Sequence, residues 1–292
     1  MPDQAESLRR LLGGQKPSGS LNTKVITVTS GKGGVGKSNF TLNFALSLQA
    51  LGRRTLIFDA DIGLSNIDVL TGMTPKYNLY HLLKRQKTIW DIIYTAQHDL
   101  QIISGGSGFG DLFRLSEEDL DEFTGQISEL NGHVDYIIFD TGAGLSEETL
   151  KFILAAEETI VITTPEPTAI TDAYAVIKMV HAIDSSVSFR LVVNRVSEWS
   201  EGKRTADKIG MVARQFLDLD IPLLGCIEDD PNVSKAVKKQ IPFSIAYPHS
   251  PASRSVRRIA ASFSQTADGG QARPDEQAGI KGFLSRMLHL FR

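Results

Sequence analysis

Gly31-Lys32-Gly33-Gly34-Val35-Gly36-Lys37-Ser38 fits the pattern G-x-x-x-x-G-K-[ST], and it lies directly between an apolar run and an amphipathic one. Glycines at these positions let backbone N–H groups curl round phosphate oxygens without a Cβ in the way. A helix opening at Gly36 would turn its positive end toward the anion. Lys37 would reach the β- and γ-phosphates, and the Ser38 hydroxyl would ligate Mg²⁺. Asn39 follows in the first turn and completes the phosphate-side set. The spacing therefore points to a magnesium–nucleoside triphosphate as ligand. Carboxylates stand where strand ends would bring them to such a loop. Asp59-Ala60-Asp61 closes the run Thr55–Asp59, and Asp140 closes Tyr136–Phe139. Strand-end carboxylates beside a phosphate loop can hold Mg²⁺ directly or through its waters. Asp68, eight residues after Ala60, reads as a loop cap or surface charge. Asn194 ends Leu191–Val193, and its amide offers a donor and an acceptor at once, as the edge of adenine requires.

These residues need a scaffold, and the chain supplies one in alternation. Candidate strands are Val25–Thr29, Thr55–Asp59, Leu100–Ile103, Tyr136–Asp140, Thr159–Thr163, Arg190–Asn194 and Leu223–Ile227. Most are continuous apolar runs, as strands covered on both faces should be. Helical segments such as Lys37–Leu51, Ala169–Ile183 and Gly202–Leu217 lie between them. The class is α/β, with a doubly wound, mostly parallel sheet. Ahead of it, Pro2–Leu12 reads as a short helix with Asp3 and Glu6 as a capping box, followed by a linker rich in Gly and Ser. The expected domains are 1–22 as N-terminal helix and linker, 23–263 as the nucleotide-binding domain, 264–280 as a flexible linker, and 281–292 as an amphipathic helix.

Composition limits the classes further. The chain has 292 residues and 41% apolar content, enough for a large core, and a net charge of −3 gives no bulk attraction to nucleic acid. Its single cysteine, Cys226, excludes a disulfide within the chain and argues against a cysteine-ligated cluster. Met1–Ser20 has no apolar signal-peptide core, and no run approaches the ~20 apolar residues of a membrane span, so a cytosolic protein is expected. At the C-terminus, Phe283, Leu284, Met287, Leu288, Leu290 and Phe291 fall in one arc of about 160° at ~100° per residue. Lys281, Arg286 and Arg292 accompany them without any acidic residue. That pattern suits an in-plane anchor on an anionic membrane face. A helix docked on its own domain is the alternative, and the two are compatible in different nucleotide states. Pro231–Ala267 carries six lysines and arginines and no acidic residue, read as solvated helix faces or as an anionic-surface or nucleic-acid contact.

A cation at the second position of the loop is not needed by a plain phosphate site. Gly-Lys-Gly-Gly-Val-Gly-Lys-Ser resembles the deviant phosphate loop of the MinD/ParA ATPases, a P-loop group of the SIMIBI type. The resemblance implies ATP and ADP with Mg²⁺ as ligands, and ATP hydrolysis dependent on dimerisation. It implies that Lys32 reaches the nucleotide of a second subunit in an ATP-dependent homodimer. Lys32, Lys37 and Asp61 would then serve catalysis, Asp61 orienting the attacking water in switch I. Asp59 and Asp140, the latter heading the switch II segment Asp-Thr-Gly-Ala-Gly, would anchor the hydrated metal. Asn194 would contact the base, with Asp229 and Pro231 in the turn after the last strand. That turn also reads as the acidic N-terminus of the next helix.

The two ends narrow the family. Asp3-Gln4-Ala5-Glu6-Ser7-Leu8-Arg9 resembles the D-Q-A-x-x-L-R motif of the FlhG family of flagellar-number regulators, and Pro165–Tyr174 is similar to that family too. The resemblance implies that Asp3, Gln4, Ala5, Leu8 and Arg9 contact the SRP-type GTPase FlhF and stimulate it. It also points to flagellar switch-complex (C-ring) proteins as partners, to no nucleic acid, and to a cytoplasmic protein reversibly peripheral on the cell membrane. Phe283, Leu284, Met287, Leu288 and Phe291 would be the membrane residues. Division-site or DNA-partitioning ATPases are the alternatives within the superfamily. A metabolic P-loop enzyme acting on a small molecule is the alternative outside it.

Overall fold

The computed structural model describes residues 23–61, 66–106, 117–269 and 279–291. Among them runs an eight-stranded sheet: β1 (Lys24–Ser30), β2 (Thr55–Ala60), β3 (Ile93–Thr95), β4 (Gln101–Ser104), β5 (Tyr136–Ala143), β6 (Glu158–Thr163), β7 (Phe189–Val196) and β8 (Leu223–Glu228). Their order is β3-β4-β2-β5-β1-β6-β7-β8. Every pairing is parallel except β3 with β4. All seven expected strands are present. β3 was not expected, being three residues long without an apolar run.

Helices cover both faces, which explains the unbroken apolar strands. On one face lie α1 (Lys37–Gln49), α2 (Asn66–Thr71), α9 (Pro231–Lys238), α10 (Phe243–Ala246) and α11 (Pro251–Gly269), packed on Ile26, Ile57, Ile138 and Ile160. On the other lie α3 (Leu79–Leu83), α4 (Ile89–Ile92), α5 (Glu117–Ser128), α6 (Glu147–Ala155), α7 (Pro167–Ile183) and α8 (Trp199–Leu217). The C-terminal α12 (Gly279–Phe291) joins that second face.

One domain boundary differs from expectation. α11 continues to Gly269, six residues into the segment read as linker, and Ser264 is buried in it. The chain's own hydrophobic surface holds α12: Ile280, Phe283, Leu284 and Met287 are buried with Phe58, Phe139 and Phe152, and Phe283 stacks on Phe139 at 4.9 Å. Arg286 Nε donates to the Ala155 carbonyl at 2.9 Å. The basic run also has local partners. Arg254 and Arg257 donate to carbonyls of His249 and Pro248, Arg258 lies 3.8 Å from Glu228, and Lys239 covers Tyr247. Among the described residues no helix is long and apolar enough to cross a membrane.

Candidate functional site

β1 lies between β5 and β6, whose chain positions diverge on either side of it, so a crevice opens beyond its C-terminal end. The Gly31–Ser38 turn fills that point. A Cβ on Gly31 would stand 2.2 Å from the carbonyl carbon of Asp172, so the loop's first residue must be glycine for α7 to pack there. Gly36 caps α1 with φ of 92°, and a Cβ on it would meet Asn194 Nδ2 at 2.3 Å. Asn194 Nδ2 donates to the Val35 carbonyl at 2.7 Å, and Asn194 Oδ1 accepts from Arg195 N at 2.9 Å. The loop is thus braced from β1, α7 and β7. Gly33 and Gly34 remain exposed at its crest.

Behind the loop the carboxylates converge. In the sheet register Asp59 on β2 stands beside Asp140 on β5. Asp140 is fully buried; its Oδ1 accepts from Lys37 Nζ at 3.0 Å and from Thr41 Oγ1 at 2.8 Å. Lys37 Nζ also lies 3.4 Å from Ser38 Oγ. Asp140 Oδ2 is buried with no hydrogen-bond partner. Burial, then the neighbouring Asp140 charge, raises the Asp59 carboxyl well above the usual range, although the N–H groups of Asp61 and Ile67 donate to it. Burial likewise pushes Asp61 up against the pull of Lys37. Asp61 Oδ2 accepts from Asn66 Nδ2 at 2.8 Å. Lys37 pairs with Asp140 and attracts Asp61, while Asp59 and Asp61 are both raised by the Asp140 charge, a repulsion that a divalent cation would relieve. Together with the orphaned Asp140 oxygen and the Ser38 hydroxyl, this donor set suits Mg²⁺, a hard ion that takes oxygen ligands.

Beside the loop is a cavity of about 450 Å³, within the usual size of a small-molecule site, lined by Gly36, Asn39, Asn194, Asp229, Val233 and Lys238 among others. Asn194, expected to contact the base, lines this cavity; one of its amide protons goes to Val35 and its oxygen accepts from Arg195 N. Asp229 borders the cavity, 3.6 Å from Arg195. Pro231 does not line it. It occupies the first position of α9, where its fixed φ costs nothing, and Asp230 caps that helix by accepting from Asn232 N at 2.9 Å. Asp68 is also more than a loop cap: it accepts from Tyr94 OH and Ser104 Oγ. Lys32 is 41% exposed; its Nζ donates to Thr168 Oγ1 at 2.9 Å and lies 3.5 Å from Glu166. Asp3, Gln4, Ala5, Leu8 and Arg9 lie outside the described residues, as does the Phe291 side chain. Leu288 is half-buried. Sequence reasoning missed Thr41, Asn66, Glu166 and Thr168. Thr41 is a hydroxyl one helical turn after Lys37, and Glu166 and Thr168 lie in the Pro165–Tyr174 segment; Asn66 carried no local signal.

Comparison with known proteins agrees with this geometry. The ParA family model, described as NUBPL iron-transfer P-loop NTPase, matches residues 22–264. The antiactivator FleN of Pseudomonas aeruginosa is 34% identical over 274 residues, covering 94% of this chain and 96% of FleN. The flagellum site-determining protein YlxH of Helicobacter pylori is 37% identical over 295 residues, covering 99% of each chain. Among solved structures, MinD of Pyrococcus horikoshii complexed with Mg-ADP superposes with a TM-score of 0.67 at 25% identity, covering 84% of this chain and 97% of MinD. The phosphate loop with its second lysine, the carboxylate row and these relatives place the chain in the ParA/MinD family of P-loop ATPases, alongside FleN and YlxH.

Proposed function

We propose that this ATPase is a nucleotide-dependent switch that governs the number and placement of flagella, a reading supported by its similarity to YlxH, named as a flagellum site-determining protein, and to the antiactivator FleN. ATP would join two copies face to face, and hydrolysis would part them. The observation that carries the reading is Lys32, a loop cation that lies on the surface and interacts with exposed Glu166 and Thr168. Surface pairs of this kind contribute about 0–1 kcal/mol. They hold Lys32 weakly, and a phosphate presented by a second copy can take it over.

Within one copy, Gly33 to Gly36 would cradle the phosphates, Lys37 would leave Asp140 for the β/γ-phosphates, and Asn194 would hold the base. Ser38, Asp59 and Asp140 would hold Mg²⁺, which when bound neutralises charge on the phosphate oxygens. Asp61 would orient the attacking water, accepting a hydrogen bond while Asn66 fixes its second oxygen.

The apolar face of α12 supports the output of the switch. The same side chains that now cover Phe58 and Phe139 form the face expected to enter a membrane, and one face cannot serve both. Membrane contact therefore requires release of α12. Half-burying five or six apolar side chains in lipid would yield roughly 5–8 kcal/mol gross, opposed by loss of the burial that α12 now has against Phe58, Phe139 and Phe152. One copy would bind weakly, and two copies on one dimer would gain from effective concentration. The reading places the protein in the cytoplasm and reversibly on an anionic inner membrane face. Its partners would be the GTPase FlhF, through Asp3–Arg9, and flagellar C-ring proteins; no nucleic acid is expected. Sedimentation with anionic liposomes tests it: co-sedimentation should rise with ATP and Mg²⁺ over ADP. Equal binding in both nucleotides would refute the switch.

A further inference from the structure

α2 has six residues, too few to be rigid alone, yet it carries Asn66, which fixes Asp61, and Ile67, whose N–H binds Asp59 Oδ2 at 3.2 Å. Two consecutive residues thus transmit the placement of α2 to two site carboxylates. The third, Asp68, points the connection elsewhere. Its Oδ1 accepts from Tyr94 OH at 2.5 Å, and its Oδ2 accepts from Ser104 Oγ at 2.8 Å. Ser104 ends β4 directly beside Asp59 in the sheet register. Tyr94 belongs to β3, the short antiparallel edge strand, in register with Ile102 of β4. Both oxygens of Asp68 are therefore engaged by the rigid sheet. Burial, then the Asp68 bond, raises the Tyr94 hydroxyl far above its ordinary range, so it stays a donor at any working pH.

We propose that Tyr94 and Asp68 are positioning residues for hydrolysis: together with Ser104 they lock α2 onto the sheet edge, so that Asn66 and Ile67 hold Asp61 and Asp59 in place. The inference rests on the assignment of Asp61 to the attacking water. None of the three residues lines the phosphate loop or the base cavity. Their loss should therefore slow the chemical step and leave nucleotide binding unchanged. A displacement near 1 Å at a catalytic group costs on the order of a hundredfold, and partial loosening of one tether should cost about tenfold.

The experiment uses the full chain, steady-state ATP hydrolysis, calorimetric ATP binding and thermal melting, with Asp61→Ala as reference. Tyr94→Phe and Asp68→Ala should lower kcat about tenfold while KM and ATP affinity stay within about twofold. Asp68→Asn should recover most of the rate, because its amide oxygen still accepts from Tyr94 and its NH₂ can donate to the Ser104 oxygen. If Asp61→Ala abolishes turnover while Tyr94→Phe and Asp68→Ala keep wild-type kcat, the positioning role is overturned and the Asp61 assignment stands. If Asp61→Ala itself hydrolyses ATP normally, that assignment fails and takes the positioning role with it. A parallel fall of kcat, ATP affinity and melting temperature, with no recovery in Asp68→Asn, would reduce the cluster to structural support and overturn the proposal. Tyr94→Phe alone decides the matter should Asp68→Ala fail to fold, since it deletes one oxygen and leaves the ring in place.

Discussion

Lys37 is buried against Asp140, and that pairing sets what its removal would cost before any nucleotide is considered. Deleting the ammonium leaves a fully buried carboxylate with Thr41 as its donor. Breaking a buried pair from one side destabilises by roughly 3–5 kcal/mol, because the remaining charge is neither solvated nor matched. The Thr41 bond places this case near the lower end. Lys37→Ala should therefore lose about 3 kcal/mol in urea unfolding without nucleotide, besides showing no ATP binding by calorimetry. A Lys37→Ala protein as stable as the parent would overturn that cost. The buried pair would then contribute nothing to the resting fold.

At the scale of elements, the loop and α7 are interlocked at Gly31. The 2.2 Å approach of an added Cβ to the Asp172 carbonyl carbon is backbone against backbone, so no rotamer change can relieve it. Gly31→Ala should push α7 and the loop apart and weaken ATP binding by at least tenfold in calorimetry, with the sheet intact by circular dichroism. Unchanged affinity would show that α7 can move without disturbing the phosphate cradle. This interlock also marks where sequence reading stops. The strands were legible because two-sided burial writes itself as continuous apolar runs, and the phosphate loop because its glycines and Lys37 are adjacent in sequence. Asp59 was legible as lying near a strand end, and Asp140 as the charge that breaks an apolar run, although β5 continues past it to Ala143. β3 was not, since three residues carry no period and its pairing depends on β4 already being in the sheet. The partners of Asp68 lie 26 and 36 residues away, brought near by topology rather than by any local pattern. The periodicity of α12 revealed an apolar face but not what covers it; Phe139 and Phe152 do so from β5 and α6.

For the whole molecule the question is whether one surface cation can decide the assembly state. Lys32 lies near Glu166 and Thr168 at the N-terminal end of α7, and Glu166 is itself 56% exposed. Solvent screening limits that pair to about 1 kcal/mol or less. A triphosphate offered by a second copy carries several charges and would be partly desolvated by the contact, which makes a charge-assisted bond roughly twice as strong as a neutral one. On the proposed reading the balance would favour the partner's nucleotide only with ATP, whose γ-phosphate would supply the extra charge. Size-exclusion with light scattering should therefore give a monomer with ADP and a dimer with ATP and Mg²⁺ under conditions of slow turnover. Lys32→Ala should bind ATP within a few-fold of the parent and remain monomeric. Glu166→Ala removes only the weak competing contact, so the concentration for dimerisation should shift by less than about fivefold, the equivalent of 1 kcal/mol. Should Lys32→Ala dimerise as readily as the parent, the lysine serves its own subunit's phosphates. The assembly would then have to be driven by other contacts across the loop face.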